Sequence, residues 1–376
     1  LIYDLGFLGG GQLARMSIQA AQRMGLKCLS IDPGSLTPAS QVADALVGNL
    51  SSPDDLKQIF ERCDRVTLEN EFIPADAIRQ ALEITGRDED VLIPGVDTLE
   101  IIQDKLKQRD HYLTAGAPSP RAVPIEGDGS GAVAAIGFPM VLKARFGGYD
   151  GKGTRYARTH QEFDSFKELW SGGGWMAEEF VPFKRELAAM VVRTEDGESC
   201  FPTVETIQVN HVCDLTAPCD FDASEAAIAA VRAVHGIGLF GVELFETNDG
   251  QILINEIAPR PHNTGHYTLD WGGPSQFEAH VRVVMGYPIP PLTSESFAVM
   301  ANLLGREGVC DFRKGVEAAL QAPGAFVHWY GKAEAKPGRK MGHLNVARPI
   351  GSSIDEAKST AIRAREAFFD GWSRVG

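Results

Sequence analysis

Residues 242–268, Val-Glu-Leu-Phe-Glu-Thr-Asn-Asp-Gly-Gln-Ile-Leu-Ile-Asn-Glu-Ile-Ala-Pro-Arg-Pro-His-Asn-Thr-Gly-His-Tyr-Thr, read as a β-hairpin running into a polar loop. Asp-Gly between two apolar runs is a strong hairpin signal, because both residues tolerate the positive φ of a primed turn. With Asp249-Gly250 as a two-residue loop, Asn248 faces Gln251. Counting outward then sets Glu243 opposite Glu256, on the face shared by a Phe245–Ile254 pair. Like charges directly opposite across a strand pair repel, so a cation belongs between them. Two carboxylates completed by phosphate oxygens and water are how Mg²⁺ is held. The plain alternative is a solvated edge hairpin. The loop that follows, Ala258 to His266, cannot continue a central strand because its two prolines remove donors, and it is rich in anion-binding groups.

At 376 residues the chain exceeds the size of one hydrophobic core, so two or three domains are expected. Hydrophobic content of 44% and charged content of 23% are those of a globular protein. A formal charge of −14 argues against a nucleic-acid or anionic-membrane partner. Anionic ligands must therefore meet local basic clusters. The six cysteines, at 28, 63, 200, 213, 219 and 310, show no C-x-x-C spacing and read as reduced thiols of a cytoplasmic protein. No apolar run reaches eighteen residues and no signal-peptide layout is present.

In chain order, Leu5 to Leu8 ends a strand, Gly9-Gly10-Gly11-Gln12-Leu13-Ala14 leads into a helix to Met24, and Leu26 to Ile31 is a second strand ending at Asp32. The G-x-G-x-x-A pattern fits phosphate at a helix N-terminus, with Asp32 where a ribose-binding acid would fall. It equally fits a tight turn that binds nothing. A helix near 53–62 and a strand at 65–68 follow, the strand carrying Glu69 and Glu71 at its carboxyl end, where ligands of such sheets sit. Helical pattern from Thr98 runs through Asp104, Lys105 and His111 until Ala117-Pro118-Ser119-Pro120 breaks it. Pro139 to Ala144 is an apolar strand containing Lys143, which needs an anionic partner if buried. Residues 145–153 hold four glycines, able to lay backbone N–H groups against phosphate. Trp175 to Phe180 is a strand leading into Glu178-Glu179-Phe180-Val181-Pro182, and Arg185 to Val192 is the next. Such a linker suits an adenine edge, with Glu186 accepting from ribose hydroxyls.

That order of parts resembles an ATP-grasp enzyme. Gly-Gly-Gly-Gln-Leu-Ala-Arg-Met at 9–16, Gly-Gly-Tyr-Asp-Gly-Lys-Gly at 147–153, Asn-Glu-Ile-Ala-Pro-Arg-Pro-His-Asn-Thr-Gly-His at 255–266, Ser275-Gln276-Phe277-Glu278, Tyr330-Gly331-Lys332 and Gly338-Arg339-Lys340-Met341-Gly342-His343 narrow it. They resemble the N5-carboxyaminoimidazole ribonucleotide synthetase family over residues 6–346. The resemblance implies an α/β ATP-grasp fold and ATP-dependent carboxylation of 5-aminoimidazole ribonucleotide by bicarbonate through carboxyphosphate, in purine biosynthesis. It implies Mg²⁺ or Mn²⁺ on Glu243 and Glu256, no biotin, and a homodimer. ATP would be held by Lys105, Lys143, Gly147, Gly148, Gly151, Lys152, Gly153, Glu178, Glu179, Phe180, Val181, Glu186, Gln208, Asn255 and Glu256. The ribonucleotide would meet Gly11, Gln12, Leu13, Glu71, His262, Asn263, Arg339 and Lys340. Tyr149, Asp150, Arg260, His262 and Lys332 would surround its imidazole and the bicarbonate.

The expected parts are a Rossmann-like domain over 1–104, a lid over 105–178 and a C-terminal domain over 179–376 with a terminal subdomain from about 297. A helix over 355–369 should pack on the last. Ala258 stands where many ATP-grasp enzymes place a metal-binding asparagine, which tells against biotin carboxylase. Gln208 replaces a frequent histidine, and Ala188 replaces the serine of the usual Arg-Glu-Leu-Ser strand. Competing readings are formate-dependent glycinamide ribonucleotide formyltransferase, which usually has Asp at position 263, a nicotinamide dehydrogenase built on Gly9 to Asp32, and a non-catalytic ATP-binding module.

Overall fold

The computed structural model describes residues 1–148, 153–307 and 311–373. Among these, the strands form three sheets. The first is parallel, in the order Asp44–Val47, Cys28–Asp32, Tyr3–Leu8, Cys63–Leu68, Leu92–Ile93. Helix Gln12–Arg23 starts one turn after the first strand and buries Leu13, Ala14, Met16, Ser17, Ile18 and Ala21, a period fitting one helix face. Helix Pro53–Phe60 begins with Ser52 capping Asp55 N and proline in the first turn.

The helical pattern after residue 96 is two helices, Val96–Gln103 and Lys105–Ala115, divided at Asp104. Asp104 caps the second by accepting from Leu106 N at 3.0 Å, and also accepts from Arg145 Nε at 3.0 Å. Lys105 N donates to Arg145 O at 3.0 Å. The start of this helix is thereby bolted to the end of strand Met140–Ala144, bringing Lys105 and Lys143 into one neighbourhood. That strand lies in the second, antiparallel sheet, ordered Ala122–Pro124, Trp175–Glu179, Met140–Ala144, Thr154–Ala157.

The third sheet is antiparallel and contains the hairpin, Gly238–Thr247 and Ile252–Ala258, beside the long strand Phe183–Arg193. It continues through Val204–Val209 and Val212–Pro218 to Ser296–Leu304, Lys340–Pro349 and Ala325–Trp329. The strand that opens the C-terminal segment thus joins the hairpin's sheet through the pairs Leu215–Ala301 and Thr216–Met300. Helix Ile354–Ser373 covers that end, burying Ala357, Ala361, Ala364, Phe368 and Trp372 at helical spacing. Across the molecule, Leu13 and Met16 of the first helix pack with Phe277 and Tyr330, so the glycine-rich turn of the first sheet faces the hairpin's sheet over a shared cleft.

The hairpin turn differs from expectation. Thr247 N donates to Gln251 O at 2.9 Å and Gly250 N to Thr247 O at 3.0 Å, with Gly250 at φ +84°. The loop is therefore Asn248-Asp249-Gly250, a three-residue turn closed by glycine in the left-handed region. This shifts the register by one, so Phe245 faces Leu253 and Leu244 faces Ile254. A bulge at Asn255 then restores it, and Glu243 faces Glu256.

Candidate active site

The cleft has a volume of about 1470 Å³ and is walled by the second and third sheets and by the segments that follow strands Tyr3–Leu8 and Cys63–Leu68 of the first. Its acidic end is built by the bulge. The extra residue turns Asn255 so that its backbone O accepts from Arg109 Nη2 at 2.7 Å and its Oδ1 accepts from Lys143 Nζ at 3.2 Å. Arg109 Nη1 also binds Ile254 O at 3.1 Å, and its Nε meets Glu178 Oε2 at 2.7 Å. Lys143 Nζ reaches Glu178 Oε1 at 2.6 Å. Glu178 was expected to hold adenosine. It lines the cleft, with a side chain 3% exposed and both oxygens on cations, so its carboxylate organises the two basic residues. Burial alone would raise the Glu178 carboxyl, but Arg109 and Lys143 outweigh it and hold it below its ordinary value. Burial pulls Lys143 below its ordinary value, opposed by Glu178.

Glu256 is ion-paired with Lys105. Burial would raise it, and Lys105 brings it down. Glu243 faces Glu256, with the His262 imidazole Nε2 at 3.7 Å, and its side chain is 27% open to the cleft. Burial, then Glu256 and Glu186, push it up to about 7. A buried carboxyl raised by its twin is the situation a divalent cation relieves, so Glu243 and Glu256 fit that role chemically. Among the described residues no cluster of three or more His, Cys, Asp or Glu side chains could hold a metal ion. A cation here needs oxygens from a ligand.

Glu179, Phe180 and Val181 line the cleft where strand Trp175–Glu179 ends, with Phe180 edge-on to Tyr156 at 6.3 Å. Glu186 lies across from them, raised by burial and hydrogen-bonded to the Gln208 side chain. Gly148 and Gly153 also line the cleft. Gly147 has φ +72° and is not part of the wall. Tyr149, Asp150, Gly151 and Lys152 lie outside the described residues.

The opposite end is formed by Gln12, Leu13, Glu71, Arg260, Lys332, Arg339 and Lys340. Arg260 grips Glu71 with two bonds, Nε to Oε2 at 2.6 Å and Nη2 to Oε1 at 2.9 Å. Lys332 Nζ donates to Lys340 O at 2.6 Å. The glycine turn is closed by the protein's own acids. Gly10 N donates to Asp32 Oδ2 at 2.9 Å, Gly34 N to Asp32 Oδ1 at 2.8 Å, and Leu13 N to Glu69 Oε1 at 3.4 Å. Asp32 therefore braces the turn and does not present itself to a ribose, which removes the basis of the dinucleotide reading. A Cβ on Gly11 would meet Glu69 Oε1 at 2.0 Å. Burial raises Glu69 to about 7 against Arg260 and the Leu13 N–H.

Between the two ends, His262 Nδ1 contacts Thr264 Oγ1 at 2.8 Å, and burial followed by Arg260 and Lys340 keeps its imidazole far below its ordinary value. Asn263 and Asn302 exchange two side-chain amide bonds, at 3.0 and 2.7 Å. Sequence reasoning passed over Arg109, whose signal was its position one turn after Lys105 on the same helix face. It also passed over Asn302, for which the sequence carried no local signal. The five described cysteines are unpaired thiols, and no described helix is long and apolar enough to cross a membrane.

Comparison with known proteins agrees with this architecture. Residues 2–103 match the ribonucleotide synthetase preATP-grasp domain, 113–277 the ATP-grasp domain, and 298–359 the phosphoribosylaminoimidazole carboxylase C-terminal domain. The chain is 37% identical to phosphoribosylaminoimidazole carboxylase of Ogataea methanolica, over 91% of this chain and 66% of that protein, and so spans just under two thirds of that relative's length. It is 38% identical to the N5-carboxyaminoimidazole ribonucleotide synthase of Synechococcus elongatus, over 95% of this chain and 92% of that protein. The structure of N5-carboxyaminoimidazole synthase from Aspergillus clavatus in complex with ADP and 5-aminoimidazole ribonucleotide superposes with a TM-score of 0.88 at 30% identity, covering 98% of this chain and 99% of that one. With all three segments matched in order and a relative aligned along nearly its whole length, the chain belongs to the N5-carboxyaminoimidazole ribonucleotide synthase family of ATP-grasp ligases.

Proposed function

We propose that the protein carboxylates 5-aminoimidazole ribonucleotide at its N5 amine, consuming ATP and bicarbonate. The observation that carries this reading is the division of one cleft into an acidic end backed by Lys105, Lys143 and Arg109 and an anion-binding end at Gln12, Arg260, Arg339 and Lys340, with His262 and Asn263 between. ATP would lie along Glu179 to Val181 and Glu186, its phosphates toward Lys105 and Lys143. Mg²⁺ or Mn²⁺ on Glu243 and Glu256 would neutralise phosphate charge. A bicarbonate oxygen attacks the γ-phosphorus as the bond to the β-phosphate oxygen breaks, giving ADP and carboxyphosphate. The N5 amine then takes the carboxyl carbon, phosphate leaves, and the amine loses a proton. The protein's part is to hold the reactants together and keep water away from the labile anhydride. We place the reaction in the cytoplasm, in a homodimer.

The reciprocal amide pair of Asn263 and Asn302 supports this over the formyltransferase reading. An aspartate at 263 accepts but cannot donate, and would leave Asn302 Oδ1 without its bond. The test is ADP release with Mg·ATP, comparing 5-aminoimidazole ribonucleotide plus bicarbonate with glycinamide ribonucleotide plus formate. Stimulation by the first pair alone is expected. Stimulation by the second alone would make the protein a formyltransferase, and ATP binding without turnover under either condition would make it a binding module.

A further inference from the structure

The Ser275-Gln276-Phe277-Glu278 motif contains a fully buried glutamine that none of the roles above uses. Ser275 caps helix Gln276–Val284, so the Gln276 side chain projects from a fixed first turn. Its amide makes three hydrogen bonds. Oε1 accepts from His262 N at 2.9 Å, while Nε2 donates to His262 O at 2.8 Å and contacts His266 Nδ1 at 2.9 Å. The two backbone partners allow one orientation of the amide, because a backbone N–H only donates and a carbonyl only accepts. The atom facing His266 is then a donor, so Nδ1 of that ring is an acceptor and its proton sits on Nε2. Gly265 between them has no room for a side chain, since a Cβ would come within 2.5 Å of Gln276 Oε1. His266 is buried in the cleft wall and its imidazole is held far below its ordinary value, chiefly by burial, so it stays neutral. His262 follows the same logic, with Thr264 N donating to Nδ1 at 3.4 Å.

We propose that Gln276 is a positioning residue that clamps the 262–266 loop and imposes on His266 the Nε2–H tautomer, making the ring a neutral donor toward the anionic carboxyl group in transit. That the anion is the reaction's carboxyl rests on the function proposed above, whereas the tautomer does not. The experiment uses the full chain labelled with ¹⁵N-histidine, with His266→Gln to assign the ring. The wild type should show His266 protonated at Nε2 and bare at Nδ1. In Gln276→Glu, a carboxylate can accept but not donate, so the proton should move to Nδ1. Carboxylated product per ADP should then fall on the order of tenfold, as for outer partners that orient a histidine, with the KM for ATP unchanged. A wild-type ring protonated at Nδ1 overturns the proposal and needs no variant to fold. A switched tautomer with an unchanged product-to-ADP ratio overturns it as well. If the ribonucleotide fails to stimulate the wild type at all, the functional reading falls while the nitrogen shifts still decide the tautomer.

Discussion

At the first sheet the cleft is closed by carboxylates lying on backbone N–H groups, and at the hairpin it is closed by lysines lying on carboxylates. Asp32 and Glu69 take the Gly10 and Leu13 N–H donors of the glycine turn, where a phosphate would bind. Lys105 takes Glu256, where a cation would bind. Each end carries an internal group with the charge of its expected ligand. The difference lies in the sign of the group each end holds in. Both ends share a carboxyl pushed up to about 7, Glu243 at the hairpin and Glu69 at the turn. Ligand binding is then an exchange of partners inside a preformed site, which avoids leaving a buried charge bare.

The sharpest way to break this comparison is Glu256→Gln. It removes one of two carboxylates facing the cation and strands Lys105, so ADP release should fall by about 10²-fold or more, the equivalent of several kcal/mol. A Mg²⁺ titration of turnover checks it. Undiminished turnover at low Mg²⁺ would show that the facing carboxylates carry no metal.

Arg109→Met tests whether the acidic end is held by its buried cations. Arg109 and Glu178 are 5% and 3% exposed, and removing one partner of such a pair costs about 3–5 kcal/mol. Urea unfolding should show that loss. A change below about 1 kcal/mol would place the pair in the class of solvated surface bridges and dissolve the contrast between the two ends.

The raised carboxyls predict a pH signature. With Glu243 at about 7 against an ordinary 4.5, the folded protein binds more protons than the unfolded chain between those values. Its contribution to stability is therefore fully present below about pH 4.5 and is lost as pH rises through 7. Glu243→Gln removes this dependence. Relative to wild type the variant should gain up to about 3 kcal/mol between pH 5 and pH 8, read as unfolding midpoints without nucleotide or divalent cation, while losing turnover. A pH-independent difference would return Glu243 to the ordinary carboxylate range.

How much of this was legible depended on sequence distance. The Glu243–Glu256 pairing was reached with a turn one residue too short and no bulge, two offsets that cancel at those positions and not at Phe245. Alternation and turn chemistry are local, and they carry the hairpin, the β-α-β start and the strand with Lys143. The ion pairs of Glu178 were not legible, because its partners, Arg109 and Lys143, are 69 and 35 positions away and belong to other elements. The glycine turn read as an anion site because glycine spacing reports backbone access and not what fills it. Asp32 and Glu69 do, from the ends of neighbouring parallel strands.

Gly11→Ala tests that filling with the smallest perturbation. Gly11 has φ −72°, an ordinary value for alanine, so the substitution carries no backbone strain. Its only conflict is steric, a Cβ 2.0 Å from Glu69 Oε1 and 2.7 Å from Cδ. Glu69 must move off Leu13 N, and overpacking of this kind costs about 1–3 kcal/mol. In a Glu69→Ala background the same methyl meets nothing of that side chain, so the cost should largely vanish, a non-additivity a double-mutant cycle measures. The methyl also narrows the approach to the turn's N–H groups, so the KM for the ribonucleotide should rise and that for ATP should not. An equal cost in both backgrounds would mean that Glu69 does not hold the turn, and the two ends of the cleft would no longer mirror each other.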